Sequence, residues 1–247
     1  MLADHQDAFG HELYDYLKSE GRSPALEIIE RDDGYIDASG GPVIYFSEYK
    51  KWPSHQKQAM RYARGRVLDI GSGAGRHSLY LQAKGLDVTG MDNSPLAIEV
   101  CKLRGLKKTV VTSLNQINSN LGIFDTVLMM GNNFGLFGSF EGARRLLKKL
   151  GRITSEKGRI IAETLDVYKT DNPDHLSYHE RNRRKGRMGG QIRIRARYKK
   201  YATPWFDYLM VSKQEMENIL EGTDWHINKL IESGGPVYIA IIDKKKN

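Results

Sequence analysis

Residues 67–77 read Val-Leu-Asp-Ile-Gly-Ser-Gly-Ala-Gly-Arg-His. A short apolar run ends beside an acid, three glycines follow at alternate positions, and residues 78–84 read as a helix. Few folds accept such a stretch. A strand that passes through a Gly-rich turn into a helix N-terminus brings bare backbone and free N–H groups up to a ligand. The spacing narrows the choice. A dinucleotide fingerprint needs Gly or Ala at the sixth position from Gly71, and Arg76 stands there. A phosphate loop of the Gly-Lys-Ser/Thr kind needs a lysine that the turn lacks.

The downstream pattern repeats the layout. Residues 87–91 read as a second strand ending at Asp92, where a carboxylate suits two ribose hydroxyls. Asn93-Ser94-Pro95 then opens a helix, with Ser94 as N-cap and Pro95 at the first helical position. Residues 108–112, 124–130 and 158–165 read as three more strands. Ser212-Lys213-Gln214-Glu215 reads as a capping box for a helix over 213–220. Two closing strands follow, 225–231 and 237–242, joined through Ser233-Gly234-Gly235-Pro236.

Asp-x-Gly-x-Gly-x-Gly at residues 69–75, with the acid after the second strand, resembles the first motifs of the class I S-adenosylmethionine-dependent methyltransferases. The resemblance covers about residues 66 to 165. It implies an α/β fold: a Rossmann-like, mostly parallel seven-stranded sheet with helices on both faces. S-adenosylmethionine would be the cofactor, with S-adenosylhomocysteine as its product. Carried over by position, the cofactor contacts are Asp69, Gly71, Ser72, Gly73, Gly75 and Arg76 at the turn, and Asp92 with Asn93 at the ribose. Ser113 and Leu114 would flank the adenine, and Met130, Gly131, Asn132 and Asn133 would face the methyl group. Ser113 departs from the pattern, because the family usually has an acid there.

Two additions flank this core. Residues 3–18 read as a helix with Phe9, Leu13 and Leu17 in one stripe, and residues 24–30 read as the start of another. Residues 43–53 then carry Tyr45, Phe46, Tyr49 and Trp52. These aromatics read either as cover for a small core or as a lid that closes over a sulfonium. In the lid reading Tyr45 and Phe46 face the cofactor. The second addition is an insert, 166–211, between the fifth strand and the helix that normally follows it. It reads as a polar loop over 166–190 and then a β-hairpin, 191–200 with 205–211, turning at Ala202-Thr203-Pro204. The expected organisation is one domain: extension 1–63, cofactor core 64–165, insert 166–211, closing helix and strands 212–247.

The net charge of +8 is local. Residues 181–200 hold ten Lys/Arg and no acid, so the remainder carries 28 basic against 30 acidic residues, a balance of −2. Arg193, Arg195 and Arg197 share one face of the first hairpin strand, and that face is either solvated or aimed at an anion. The apolar face opposite should pack on the sheet. One cysteine, Cys101, makes no internal disulfide and fits a reducing, cytoplasmic setting. No apolar run approaches a membrane span, and residues 1–7 show no secretion signal.

Methyl transfer from a sulfonium is mainly placement of a nucleophile. A base is needed only for a protonated acceptor; the catalytic candidates are Tyr178 and His179, with Asn133 suited to orienting hydrogen bonds. His175 and His179 stand four apart, with no helix expected there, no third ligand evident and no metal site expected. The expected partner is a small-molecule substrate, an anionic one if the arginine face grips it. The arginine-rich insert leaves an RNA or protein acceptor as an alternative. A scaffold that binds the cofactor without catalysis is a third option.

Overall fold

The structure is a computed structural model that describes residues 1–23, 26–38 and 40–245. In chain order, α1 (Ala8–Lys18) is followed by β1 (Ile28–Arg31), β2 (Ile36–Ala38) and α2 (Ser54–Met60). The core then runs β3 (Arg66–Ile70), α3 (Arg76–Ala83), β4 (Asp87–Asp92), α4 (Pro95–Leu103), β5 (Lys108–Val111), β6 (Phe124–Met129), α5 (Phe140–Arg152) and β7 (Thr154–Leu165). The insert holds α6 (Pro173–Arg184), β8 (Gln191–Tyr198), β9 (Tyr201–Ala202) and β10 (Phe206–Leu209). The chain closes with α7 (Lys213–Leu220), β11 (Trp225–Glu232) and β12 (Val237–Lys244).

Seven strands form the main sheet in the order β11-β12-β7-β6-β3-β4-β5. β3 through β7 are parallel to one another, while β12 runs antiparallel to both β7 and β11. The central strands are apolar at successive positions because both faces are covered. Leu68, Ile70, Val127, Met129 and Ile160 face α5 and α7, in a cluster with Leu146, Leu150, Met216 and Ile219. Val67, Leu128, Met130 and Ile161 face the other way, onto Trp52, Ala59, Met60 and Leu81. α5 owes its place to Ala143, Leu146, Leu147 and Leu150 on one stripe, below the N-cap of Ser139 on Gly142 N–H. Among the described residues, no helix is long and apolar enough to cross a membrane.

A second, smaller sheet corrects three expectations. The insert hairpin forms, with Phe206–Leu209 antiparallel to Gln191–Ile194. Yet β8 also pairs with β1, which in turn pairs with β2. Pro24 and Ala25 lie outside the described residues, and from Ile28 the expected second helix is instead a strand. The hairpin's apolar residues divide: Leu209 and Val211 join the core of the main sheet, while those of β8 do not. Ala196 and Tyr198 pack on Ala8, Phe9 and Ile29, beneath α1. The presumed polar loop contains α6, capped by Asn172 through Asp174 N–H and started by Pro173.

Candidate active site

The glycine turn does what its sequence requires. Gly71, Gly73 and Gly75 all have left-handed φ, at 69°, 54° and 75°. A Cβ on Gly71 would meet the Asn133 amide at 2.5 Å, so that glycine lets the loop after β6 close on the turn. Nothing lies within 4 Å of where a Cβ on Gly73 would stand, and the backbone there is open to a ligand. The Gly71 and Ser72 amides donate to the Met91 carbonyl, which locks the turn to β4.

Two acids flank this turn. Asp69, on β3, is 2% exposed and accepts a 2.6 Å hydrogen bond from Ser78 Oγ. Burial pushes its carboxyl up to about 6 despite that bond. Asp92, at the end of β4, accepts from Gly73 N–H and Ser94 N–H, each at 3.0 Å. Burial raises its carboxyl as well, against the pull of those two N–H groups. Ser94 caps α4 through Ala97 N–H. Asn93 is exposed, and its carbonyl accepts from Leu2 N–H. Ser113 bonds Gln116 at the next strand end, and Leu114 is buried in the main core.

The extension closes over this group. Asp7 accepts from Gly10 N–H inside α1 and from Leu96 N–H at the start of α4. Leu13, Ala74, Ala97 and Val100 form one cluster, with Tyr45 and Phe46 packed against it. Arg76 ties the segment down: Nη1 donates to the Ile44 carbonyl and Ser47 Oγ, both at 3.0 Å, and Nη2 to Gln56 Oε1 at 3.2 Å. Gln56 Nε2 passes the chain to Glu163 Oε2 at 2.9 Å, and Glu163 accepts from Gly131 N–H. Arg104 stacks over Phe46 and donates to the Ala74 carbonyl. Tyr49 and Trp52 face away, stacked with Tyr80 and edge-on to His77.

The structure divides the proposed catalytic residues. Asn133 is at the site, but its amide donates to the carbonyls of Ile70 and Gly71 at 3.0 and 2.9 Å, so it clamps the turn. Its neighbour Asn132 has φ 63°, and its buried Oδ1 finds no partner among the described residues. Tyr178 and His179 are held by other partners. The Tyr178 hydroxyl donates to Asp32 at 2.7 Å, and its ring lies between the guanidinium groups of Arg31 and Arg181. His179 is buried edge-on to Tyr168, and burial pushes its imidazole down, away from base strength. α6 does set His175 and His179 one turn apart, and among the described residues no cluster of three metal-type ligands exists. Nor is the arginine face aimed at an anion: Arg195 and Arg197 grip Glu30, and Arg193 pairs with Asp207.

Residues that sequence reasoning passed over complete the enclosure. Tyr208, on β10, donates to the Asn132 carbonyl at 2.5 Å, and a Cβ on Gly135 would run into its ring. Tyr45 donates to Glu27 at 2.8 Å. Glu12, on α1, is 2% exposed. One legible signal existed: Glu12 sits beside Leu13 on the apolar face of its helix, where an acid has no structural reason to be.

Comparison with known proteins agrees with this geometry. Residues 67–158 match the family described as "Methyltransferase domain". A Geobacillus sp. (strain WCH70) protein whose name carries the word methyltransferase is 24% identical over 132 residues, 50% of this chain and 53% of that one. The chain thus spans about half the length of that curated relative. A Bacteroides fragilis S-adenosylmethionine-dependent methyltransferase, solved with S-adenosylhomocysteine, is 25% identical. It superposes with TM-score 0.83 over 99% of this chain and 98% of its own. A Methanosarcina mazei S-adenosylmethionine-dependent methyltransferase shares the fold at 18% identity and TM-score 0.58, over 76% of this chain and 96% of its own. A glycine turn open at Gly73, an acid at the end of β4 and an end-to-end likeness to a solved S-adenosylmethionine-dependent methyltransferase agree with one another, and residues 67–158 belong to the methyltransferase domain family.

Proposed function

We propose that the protein transfers a methyl group from S-adenosylmethionine to a small-molecule acceptor by in-line displacement, in the reducing cytoplasm. The observation that carries the reading is enclosure. α1 and the 42–47 segment pack beside the glycine turn, and β10 pins the loop after β6, an enclosure that suits a small acceptor better than a polymer. The pairing of Arg193, Arg195 and Arg197 with acids of the same molecule supports it too, since a polyanion grip needs free cations.

The residues present fit the cofactor. Gly71 and Gly73 offer bare backbone, Asp92 offers a carboxylate for the ribose, and the orphan Asn132 Oδ1 offers an acceptor on the methyl side. When bound, the cofactor supplies a methyl carbon already activated by its sulfonium. The chain supplies position. Asn133 fixes the turn against the β6 loop, Arg76 and Arg104 hold the aromatic segment down, and Tyr45, Phe46 and Tyr208 keep water out.

Calorimetry with S-adenosylhomocysteine and NAD, followed by a methyl-transfer assay on fractionated small metabolites, RNA and protein, tests the reading. The expected result is saturable binding of the first ligand only, and label entering the small-molecule fraction. Label in RNA or protein defeats the small-molecule assignment, and binding without transfer to any fraction favours a non-catalytic partner subunit.

A further inference from the structure

Glu12 is unusual among the acids of this chain. It is 2% exposed, no hydrogen bond to it is formed by any described residue, and its Oε1 is wholly buried without a partner. A carboxylate in that state is costly to fold around and needs a reason. Its surroundings make it stranger. Glu27 lies close enough to add to the rise that burial imposes on the Glu12 carboxyl, which reaches about 8. Glu27 accepts from Tyr45, whose hydroxyl burial and the charges of Glu27 and Glu12 all push up. Tyr208 feels Glu163 and Glu27 in the same sense. Three acids and two phenols from α1, the stretch before β1, the 42–46 segment, β7 and β10 therefore converge on one place. Two guanidinium groups border the segment, and both have other partners: Arg76 donates to Ile44, Ser47 and Gln56, and Arg104 to the Ala74 carbonyl.

Another unpartnered buried acceptor, Asn132 Oδ1, lies on the loop that the Tyr208 hydroxyl pins, and Tyr208 in turn feels the Glu27 charge. Once Glu12 is ionised, it, Glu27 and Asn132 Oδ1 present only acceptors, an arrangement that suits a ligand rich in N–H donors and positive charge. A neutral hydroxyl would leave the Glu12 proton in place, and an anion would be repelled by Glu27.

We propose that Glu12 and Glu27 form the acceptor subsite and that it takes an aliphatic amine, bound as its ammonium, whose proton Glu12 would take to free the nitrogen lone pair that faces the methyl side. The proposal rests on the methyltransferase reading and names its substrate class. It also predicts a proton count. Glu12 holds a proton near pH 7 in the free protein and gives it to solvent when an ammonium takes its place, so amine binding releases about one proton.

The test has two legs on the full chain. The first is calorimetric binding of S-adenosylhomocysteine to wild type, Glu12→Gln and Glu27→Gln; equal affinity in all three is expected. The second titrates the protein saturated with that ligand against matched pairs: glucosamine and glucose, phenethylamine and 2-phenylethanol, putrescine and 1,4-butanediol. It is run at pH 7 in buffers of different ionisation enthalpy. At least one amine should bind more tightly than its neutral partner and release about one proton. Glu12→Gln should weaken it roughly ten- to a hundredfold and abolish the release, the loss expected for one charge-assisted bond. Amines that bind no better than their neutral partners, or that bind Glu12→Gln as well as wild type, overturn the subsite while leaving the cofactor reading intact. Failure of the first leg in wild type overturns both.

Discussion

Glu12 also permits a prediction about stability that needs no ligand. In the unfolded chain its carboxyl titrates near 4.5, and in the folded protein near 8. Below about pH 4.5 both states hold the proton and the residue is harmless. Between the two values the unfolded chain has released its proton and the folded one has not, so stability falls as pH rises. Above about pH 8 both are ionised and the loss is complete. The interval corresponds to about 4–5 kcal/mol, a ceiling that structural relaxation would lower to ~2–4 kcal/mol. Glutamine keeps the shape and does not titrate. Glu12→Gln carries a constant cost for a buried amide without a partner, so the signal is the slope with pH. Urea unfolding at pH 5, 7 and 9 should show the variant gaining on wild type at each step, by ~2 kcal/mol or more across the range. Because α1 carries the residue, hydrogen exchange in α1 should loosen with pH in wild type and not in the variant. Curves that stay parallel from pH 5 to pH 9 would refute the argument.

Other outcomes follow from the same geometry. Asp92→Ala should weaken S-adenosylhomocysteine binding by roughly 1–3 kcal/mol in calorimetry, and Gly73→Val should abolish it by filling the open backbone face. Arg76→Met removes three hydrogen bonds that hold residues 44–56. Limited proteolysis should then cut the first 50 residues faster, and S-adenosylhomocysteine should protect wild type more than the variant; equal patterns would show that the segment is not a lid. Tyr178→Phe should cost about 1–2 kcal/mol of stability through its lost bond to Asp32 and leave methyl transfer unchanged, whereas a collapse of turnover in a folded variant would restore it as catalytic. RNA filter binding should be weak and nearly the same after Arg193, Arg195 and Arg197 are changed to Gln, and tight binding at physiological salt that vanishes in the variant would reverse the acceptor assignment.

The core was legible because its signals are local. Three alternating glycines, Ser94-Pro95 and the Ser212–Glu215 box each report a backbone conformation within a few residues, and the structure keeps all of them. α6 carried the same kind of cap, Asn172-Pro173, but its buried face is Tyr178, His179 and Asn182, which no apolar count detects. The small sheet was illegible for another reason. β1 reads as four undistinguished residues until β8 is laid beside it, and pairing between distant segments leaves no periodic mark. The enclosure suffered likewise: the sequence does not show that the Tyr178 hydroxyl is bonded to Asp32, and Glu12, Glu27 and Tyr208 acquire meaning only from one another.

That distant pairing bears on how the chain is born. Glu30 and its partner Arg195 are 165 residues apart. At a synthesis rate of 5–20 residues per second, β1 leaves the ribosome about ten to thirty seconds before the strand it needs exists. For the first part of that interval α1 and the aromatic segment have nothing to dock on, since the glycine turn and α4 are made only tens of residues later. The nascent chain therefore begins with its least self-sufficient part, an apolar helix stripe and a bare strand edge. Chaperone demand should concentrate on the first fifty residues. The small sheet therefore closes late: β1 and β2 wait for β8, while the parallel strands between them can already pair.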